Sequence, residues 1–253
     1  MPNSFRGPVL AATDFSDEAA MVLQRAFRLA SRWECAVEAV HATDERDTAH
    51  AEAERRLRAE VERVGFGKDV RSCTSIVRGG PAALAAEAER LEARSVVLGF
   101  HKDRPGGTER LGSAMETLLR SVPNDVLVVG MRPVADYRRV LVLWDGEKPL
   151  MPALEAGRHY GPEAELAVLS AVPTDMKVAA RRHEMRAALR TLHARDIATV
   201  VAAGTLVQVI REQAGPDDLA VLSTRGNVLG TVSYKAEALL SARVCDTLCL
   251  HAA

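Results

Sequence analysis

Two features of this 253-residue chain have the residue types and spacing for ligand chemistry. The first is Asp14, the carboxylate that ends the apolar run Val9-Leu10-Ala11-Ala12-Thr13. The second is the stretch from Ser95 to Gly130. In it Val96-Val97-Leu98 stops at Gly99, and a polar, glycine-containing loop follows. Gly112-Ser113 then opens a segment with apolar residues at Met115, Leu118, Leu119 and Val122, which is helical spacing. A loop that leaves a buried strand and enters a helix N-terminus binds anions, because the first helical N–H groups lack partners and the helix dipole favours negative charge. A carboxylate in the same crevice would accept hydrogen bonds from a ribose or an adenine amine.

Each residue also has a plainer role open to it. Ser113-Ala114-Met115-Glu116 fits a capping box, which needs no ligand and is compatible with one. Asp14 suits a cap on the turn before the first helix, and Gly99 suits a strand end. Lys102, Arg104 and Arg110, interleaved with Asp103 and Glu109, read as a solvated loop. The seven histidines form no H-E-x-x-H motif or Cys/His cluster, so a structural or catalytic metal is not expected. Neither a G-x-S-x-G elbow nor a G-x-x-x-x-G-K-[ST] loop occurs.

The elements that must position these residues alternate. Val9 to Asp14 reads as a strand. Ser16 is suited to cap the next helix, with Asp17 and Glu18 in its first turn. That helix carries Ala19, Val22, Leu23, Ala26, Phe27 and Ala30 on one face. A strand over Ala36 to Ala42, a solvated helix over Asp44 to Val64 and a strand over Val70 to Val77 follow. Gly79-Gly80-Pro81 then starts a helix with Leu84, Ala88 and Leu91 inside. After a short linker, Arg132 to Asp136, the order begins again. Val140 to Asp145 is a strand ending in a carboxylate, with further strands at Leu166 to Ala171, Ile197 to Ala203, Leu219 to Leu222 and Thr247 to Leu250. Helices are expected at Asp175 to Ala194, Gly204 to Gln213 and Ala236 to Leu240. This is an internal duplication in order and spacing rather than in residue identity. The fold class is α/β: two similar domains, 1–134 and 135–253, each an open five-stranded parallel sheet with helices on both faces and strand order 3-2-1-4-5. In such sheets ligands sit beyond the strand carboxyl ends where the order reverses, here between the strands ending at Asp14 and Gly99.

Composition narrows the partners. Lys+Arg and Asp+Glu number 19 and 20 up to Val134 and 14 each after it, so neither half is a polyelectrolyte. Nucleic acid and acidic membrane surfaces are not expected partners. No apolar run approaches membrane-spanning length, and the first residues lack a signal-peptide core. Cys35, Cys73, Cys245 and Cys249 form no C-x-x-C pair, and the expectation is a reduced, cytoplasmic protein with its cysteines in the core.

The spacing resembles that of the universal stress protein family, whose nucleotide-binding members carry Gly-x2-Gly-x9-Gly-Ser/Thr. Gly99 fits the first position and Gly112-Ser113 the last pair; Lys102 stands at the middle glycine. Thr13-Asp14-Phe15-Ser16, Val77-Arg78-Gly79-Gly80-Pro81 and Val126-Leu127-Val128-Val129 agree in order. The resemblance covers Pro8 to Gly130 and, more weakly, Arg139 to His251, as in a tandem member. It implies a stress-response regulatory protein that binds an adenine nucleotide, ATP or AMP, with magnesium accompanying it, and at most slow ATP hydrolysis. By position, adenine and ribose contacts fall on Asp14 and the backbone near Ala42, and phosphate contacts on Gly99, Lys102, Gly112, Ser113 and Ala114. Lysine at 102 would either strain a backbone that glycine serves or add a point charge to phosphate. In the second half Asp145 and Gly204 match Asp14 and Gly79, Ser223 takes the first motif glycine's place, and the nine-residue spacing after Gly226 fails, so that half is not expected to bind in the family manner. The alternative reading is a member that binds no nucleotide and acts as a dimerisation or partner-binding module for a protein still to be identified. An adenylating ligase on the same fold would need a motif the chain lacks. The family's last strands pair across a dimer, which implies a homodimer or a pseudo-dimer within the chain, through Val126 to Val129 and Thr247 to Leu250.

Overall fold

The computed structural model describes residues 7–16, 18–43, 47–100, 113–122, 124–130, 135–147, 149–223 and 234–251. The chain divides into two compact units, Asn3–Val134 and Ala135–Ala252.

In the first unit the strands are β1 (Val9–Thr13), β2 (Val37–Thr43), β3 (Ser72–Arg78), β4 (Ser95–Gly99) and β5 (Val126–Val129). They pair in parallel in the order β3-β2-β1-β4-β5. Helices α1 (Ala19–Trp33), α2 (Asp47–Gly65), α3 (Gly80–Arg90) and α4 (Ser113–Ser121) connect them. The central strands are short apolar runs because helices cover both faces. The expected face of α1 is buried: Ala19, Val22, Leu23, Ala26, Phe27 and Ala30. Each fully buried Leu or Phe contributes about 1.5–3 kcal/mol. Gly79 and Gly80 both hold positive φ, 111° and 62°, before Pro81 in the first turn of α3, which accounts for the Gly-Gly-Pro sequence.

In the second unit the strands are β6 (Arg139–Leu143), β7 (Glu165–Val172), β8 (Ala198–Ala203), β9 (Asp218–Ser223) and β10 (Asp246–Leu250). They run parallel in the order β8-β7-β6-β9-β10, which is the same 3-2-1-4-5 pattern. The helices are α5 (Leu150–Tyr160), α6 (Val178–Thr191, after a 3-10 turn at Asp175–Lys177), α7 (Leu206–Gln213) and α8 (Tyr234–Ala242). Leu169, Val209, Ile210, Ala220 and Leu239 are among the buried residues of one core cluster there.

Four sequence expectations need correction. Ser16 does not cap α1. The helix begins at Ala19 with Glu18 at the N-cap and no side-chain cap bond, because Phe15 turns the chain at φ 61° and the Ser16 N–H is taken by Asp14. In α3 the fully buried positions are Ala85 and Ala88, while Leu84 and Leu91 are only half-buried. Cys73 is exposed and Cys35 half-buried, whereas Cys245 and Cys249 lie in the core. Cys73 belongs to β3, which pairs with β2 at an edge of its sheet and is exposed at both ends. Finally, α5 is a helix that the apolar pattern does not announce, since Pro152 and Gly157 interrupt it. Pro152 falls in the first turn, where its missing N–H has no partner to lose. Gly157 lies against the sheet, and a Cβ there would meet Val140 at 2.9 Å.

Candidate functional site

The site is built at the carboxyl ends of β1, β2 and β4. Strand register does the positioning: Ala12 pairs with Val40 on one side and Leu98 on the other, and Thr13 pairs with His41. Asp14 therefore emerges beside Ala42 and Gly99, at the point where strand order reverses. Gly99 lies under α1: a Cβ there would meet Val22 at 3.3 Å and Glu18 at 3.7 Å. The turn from β3 into α3 is tied to the same end of the sheet, with the Gly79 N–H donating to the Thr43 carbonyl at 3.4 Å. Helix α4 starts at Ser113, so Ser113 and Ala114 form its first turn, while Lys102 and Gly112 lie outside the described residues, as do the Ser113 and Ala114 side chains. The capping-box reading of Ser113 lies outside them too.

Asp14 is exposed, and its Oδ1 accepts the Ser16 N–H at 2.9 Å. This is the turn-capping role open to it in the sequence. Three residues that sequence reasoning did not single out hold the turn. The Phe15 ring stands 4.2 Å from the His41 ring, and the Arg56 guanidinium lies over the Phe15 ring at 4.6 Å. Arg56 Nη2 donates to the Phe15 carbonyl at 3.1 Å. His41 Nδ1 sits 2.8 Å from the Thr13 carbonyl, so that nitrogen carries the proton. One turn along α2, Glu60 is half-buried, and that burial raises its carboxyl above the usual range. The charges of Arg63 and Arg56 pull it back down, and that of Asp14 pushes it further up. His41 was legible as a histidine next to Ala42; Arg56 sits in a run of arginines and glutamates that offers no signal of its own.

The equivalent end of the second unit repeats the plan with other residues. Leu143 pairs with Leu169 and Leu222, as Ala12 pairs with Val40 and Leu98. Asp145 Oδ1 accepts the Glu147 N–H at 3.0 Å, and the Gly204 N–H donates to the Val172 carbonyl at 2.8 Å. Arg181 of α6 lies over the Trp144 ring at 5.7 Å and donates to the Asp145 carbonyl. Gly146 has φ 92°, and a Cβ there would run into the Arg181 guanidinium. By register Ser223 occupies the place of Gly99 and is buried. Among the described residues no group of three His, Cys, Asp or Glu side chains could hold a metal ion, and no helix is long and apolar enough to cross a membrane.

No curated protein sequence matches the chain. Among solved structures, a protein of unknown function from Pseudomonas aeruginosa PAO1 is similar over 98% of this chain and 93% of its own, at 19% identity and a TM-score of 0.73. A universal stress protein from Archaeoglobus fulgidus is similar over 96% of this chain and 97% of its own, at 16% identity and a TM-score of 0.68. At these identities the likeness concerns the fold. The family model described as "Universal stress protein family" matches residues 6–130, the whole of the first unit's sheet with its Asp14 turn and Gly99 strand end, and over that span the chain belongs to the universal stress protein family.

Proposed function

We propose that this is a non-catalytic, cytoplasmic regulatory protein of the stress response that binds an adenine nucleotide, ATP or AMP, in residues 1–134. Residues 135–253 form a second, degenerate domain that does not bind nucleotide in this manner. The observation that carries the reading is the convergence of Asp14, Ala42 and Gly99 at the reversal point of the sheet, with the first turn of α4 following the Gly99 loop. A strand-end carboxylate suits adenosine, and a helix N-terminus suits phosphate. In this reading the Asp14 carboxylate and the backbone near Ala42 take adenine and ribose. Gly99, Lys102, Gly112, Ser113 and Ala114 take phosphate, and magnesium accompanies ATP on its phosphates.

Isothermal titration of the wild type and of Asp14→Ala with ATP and AMP tests this, preceded by release of any carried-over nucleotide from denatured protein. Binding of about one nucleotide per chain at micromolar affinity, roughly −8 kcal/mol, lost in the variant, is the expected result. Absence of both binding and retained nucleotide sinks the reading. The second reading, a dimerisation or partner-binding module, rests on Lys102 standing where the family's loop has glycine. In either reading we infer that the last strands of the two halves, β5 and β10, are the pairing edges, within the chain or in a homodimer.

A further inference from the structure

A carboxylate at the end of a strand recognises a ligand only if the turn that carries it is held. The turn at Asp14 is costly to hold, because Phe15 sits in the left-handed region at φ 61°. That conformation costs a residue with a side chain about 1 kcal/mol or more. Both carbonyls that flank Asp14 are taken by side chains from other elements. His41 of β2 binds the Thr13 carbonyl, and Arg56 of α2 binds the Phe15 carbonyl, with the Phe15 ring in contact with both side chains. The second unit shows the same device independently. Arg181 comes from α6, the helix after that unit's second strand, as α2 follows β2. It lies over Trp144 and donates to a carbonyl of the Asp145 turn. An arginine over an aromatic ring, bonded to the turn after the first strand, thus recurs, although the aromatic residue lies after the aspartate in one unit and before it in the other, and the bonded carbonyl shifts by one position.

We propose that Arg56, acting through Phe15 and His41, is a positioning residue for ligand recognition: it clamps the turn that aims Asp14 and does not itself touch the ligand. The proposal rests on the reading of Asp14 as the adenosine-binding carboxylate. It makes Arg56 the first helix residue in this unit with a role at the crevice that charge pattern alone hides.

Two measurements test it. In nucleotide-free protein, the Ser16 amide of Arg56→Met is expected to exchange its hydrogen about tenfold faster, while the β1 amides of Leu10 and Ala11 keep their rates; Arg56→Lys, which retains a cation and a donor, falls between. In titrations, Arg56→Met is expected to weaken adenosine and AMP equally, by about tenfold, and to add no further loss in an Asp14→Asn background. A loss confined to AMP means the guanidinium grips phosphate, and a fully additive loss means it acts apart from Asp14; each overturns the proposal. Unchanged Ser16 exchange in Arg56→Met sinks the clamp alone. An intact AMP affinity in Asp14→Asn sinks the nucleotide reading itself and, with it, the recognition role of Arg56.

Discussion

The ends of β1 and β6 carry the same parts arranged to different effect. Each has an aspartate whose Oδ1 closes a turn on the residue two positions later, and each has an arginine brought over from the helix after the second strand. At β1 the arginine lies over Phe15 and bonds the carbonyl beyond Asp14. At β6 it lies over Trp144 and bonds the carbonyl of Asp145 itself, filling the space above Gly146. Beside them, β4 ends in a glycine packed under a helix and β9 ends in a buried serine. A repeated scaffold can thus keep its turn chemistry while the arginine is seated differently, over the ring after the aspartate in one unit and against the glycine after it in the other.

The amino ends of the same strands differ more, and the largest expected effect lies there. In the second unit Arg139 binds the fully buried Asp218 carboxylate at 2.6 and 3.2 Å and the Gln213 carbonyl at 2.7 Å; Asp218 also accepts the Gly215 N–H at 2.8 Å. The pair holds the Arg139 guanidinium above its ordinary range, chiefly through the Asp218 hydrogen bond. By register Arg94 stands where the second unit has Asp218, and it lies 4.9 Å over the Trp33 ring instead. Arg139→Met leaves a buried charge without its partner, and thermal unfolding of that unit is expected to show a loss of about 3–5 kcal/mol. Arg94→Met, measured the same way, is expected to cost about 1 kcal/mol. Equal losses would erase the contrast.

Next in size is the functional asymmetry. Asp14→Ala is expected to weaken AMP by about a hundredfold, roughly 2.7 kcal/mol, whereas Asp145→Ala titrates like the wild type. A comparable loss from Asp145→Ala would move the site or double it. Smaller again is Gly146→Ala, which combines a positive φ with a collision against Arg181. Chemical denaturation is expected to report about 1–2 kcal/mol, with less for Gly99→Ala, whose new methyl would meet the Val22 and Glu18 side chains at 3.3 and 3.7 Å.

The smallest effect contrasts two thiols. Cys73 is exposed, while burial first, and then the charges of Asp246 and Asp218, push the Cys245 thiol up to about 12. In the folded state Cys245 therefore stays protonated at pH values where an unfolded thiol, near 9, ionises. Its contribution to stability is complete below pH 9 and is lost as pH rises toward about 12. At neutral pH a thiol reagent is expected to label Cys73 and spare Cys245 until the protein unfolds. Labelling of both at one rate would contradict the burial.

The sheet was legible because its signal is local: apolar runs such as Val96 to Leu98 and Val140 to Leu143 can hardly be anything but covered strands. Asp14 and Gly99 were legible because they end such runs, and Ala42 followed by position from the family resemblance; the strand order brings all three to one end of the sheet. What was hidden depends on side chains meeting over long separations. Arg56 reaches across 41 residues to Phe15, and nothing in an Arg-Glu-rich helix distinguishes it from Arg55 or Arg58. Helix α5 was hidden for the opposite reason. Its glycine marks close packing against β6, which in sequence looks like a break. The Ser16 cap failed because a left-handed Phe15 cannot be read from residue type.

The Arg139–Asp218 pair has a consequence for synthesis. Its partners are 79 residues apart. At the ordinary pace of translation, 5–20 residues per second, β6 waits roughly 4–16 s for the strand that neutralises its first residue and covers one of its edges. During that interval β7 is the only neighbour of β6 that has been made, so β6 stays open on its other side until β9 arrives. In the first unit the place of Arg139 is held by Pro8, whose carbonyl accepts the Arg94 N–H, so the strand that waits for β4 carries no side-chain charge at that position.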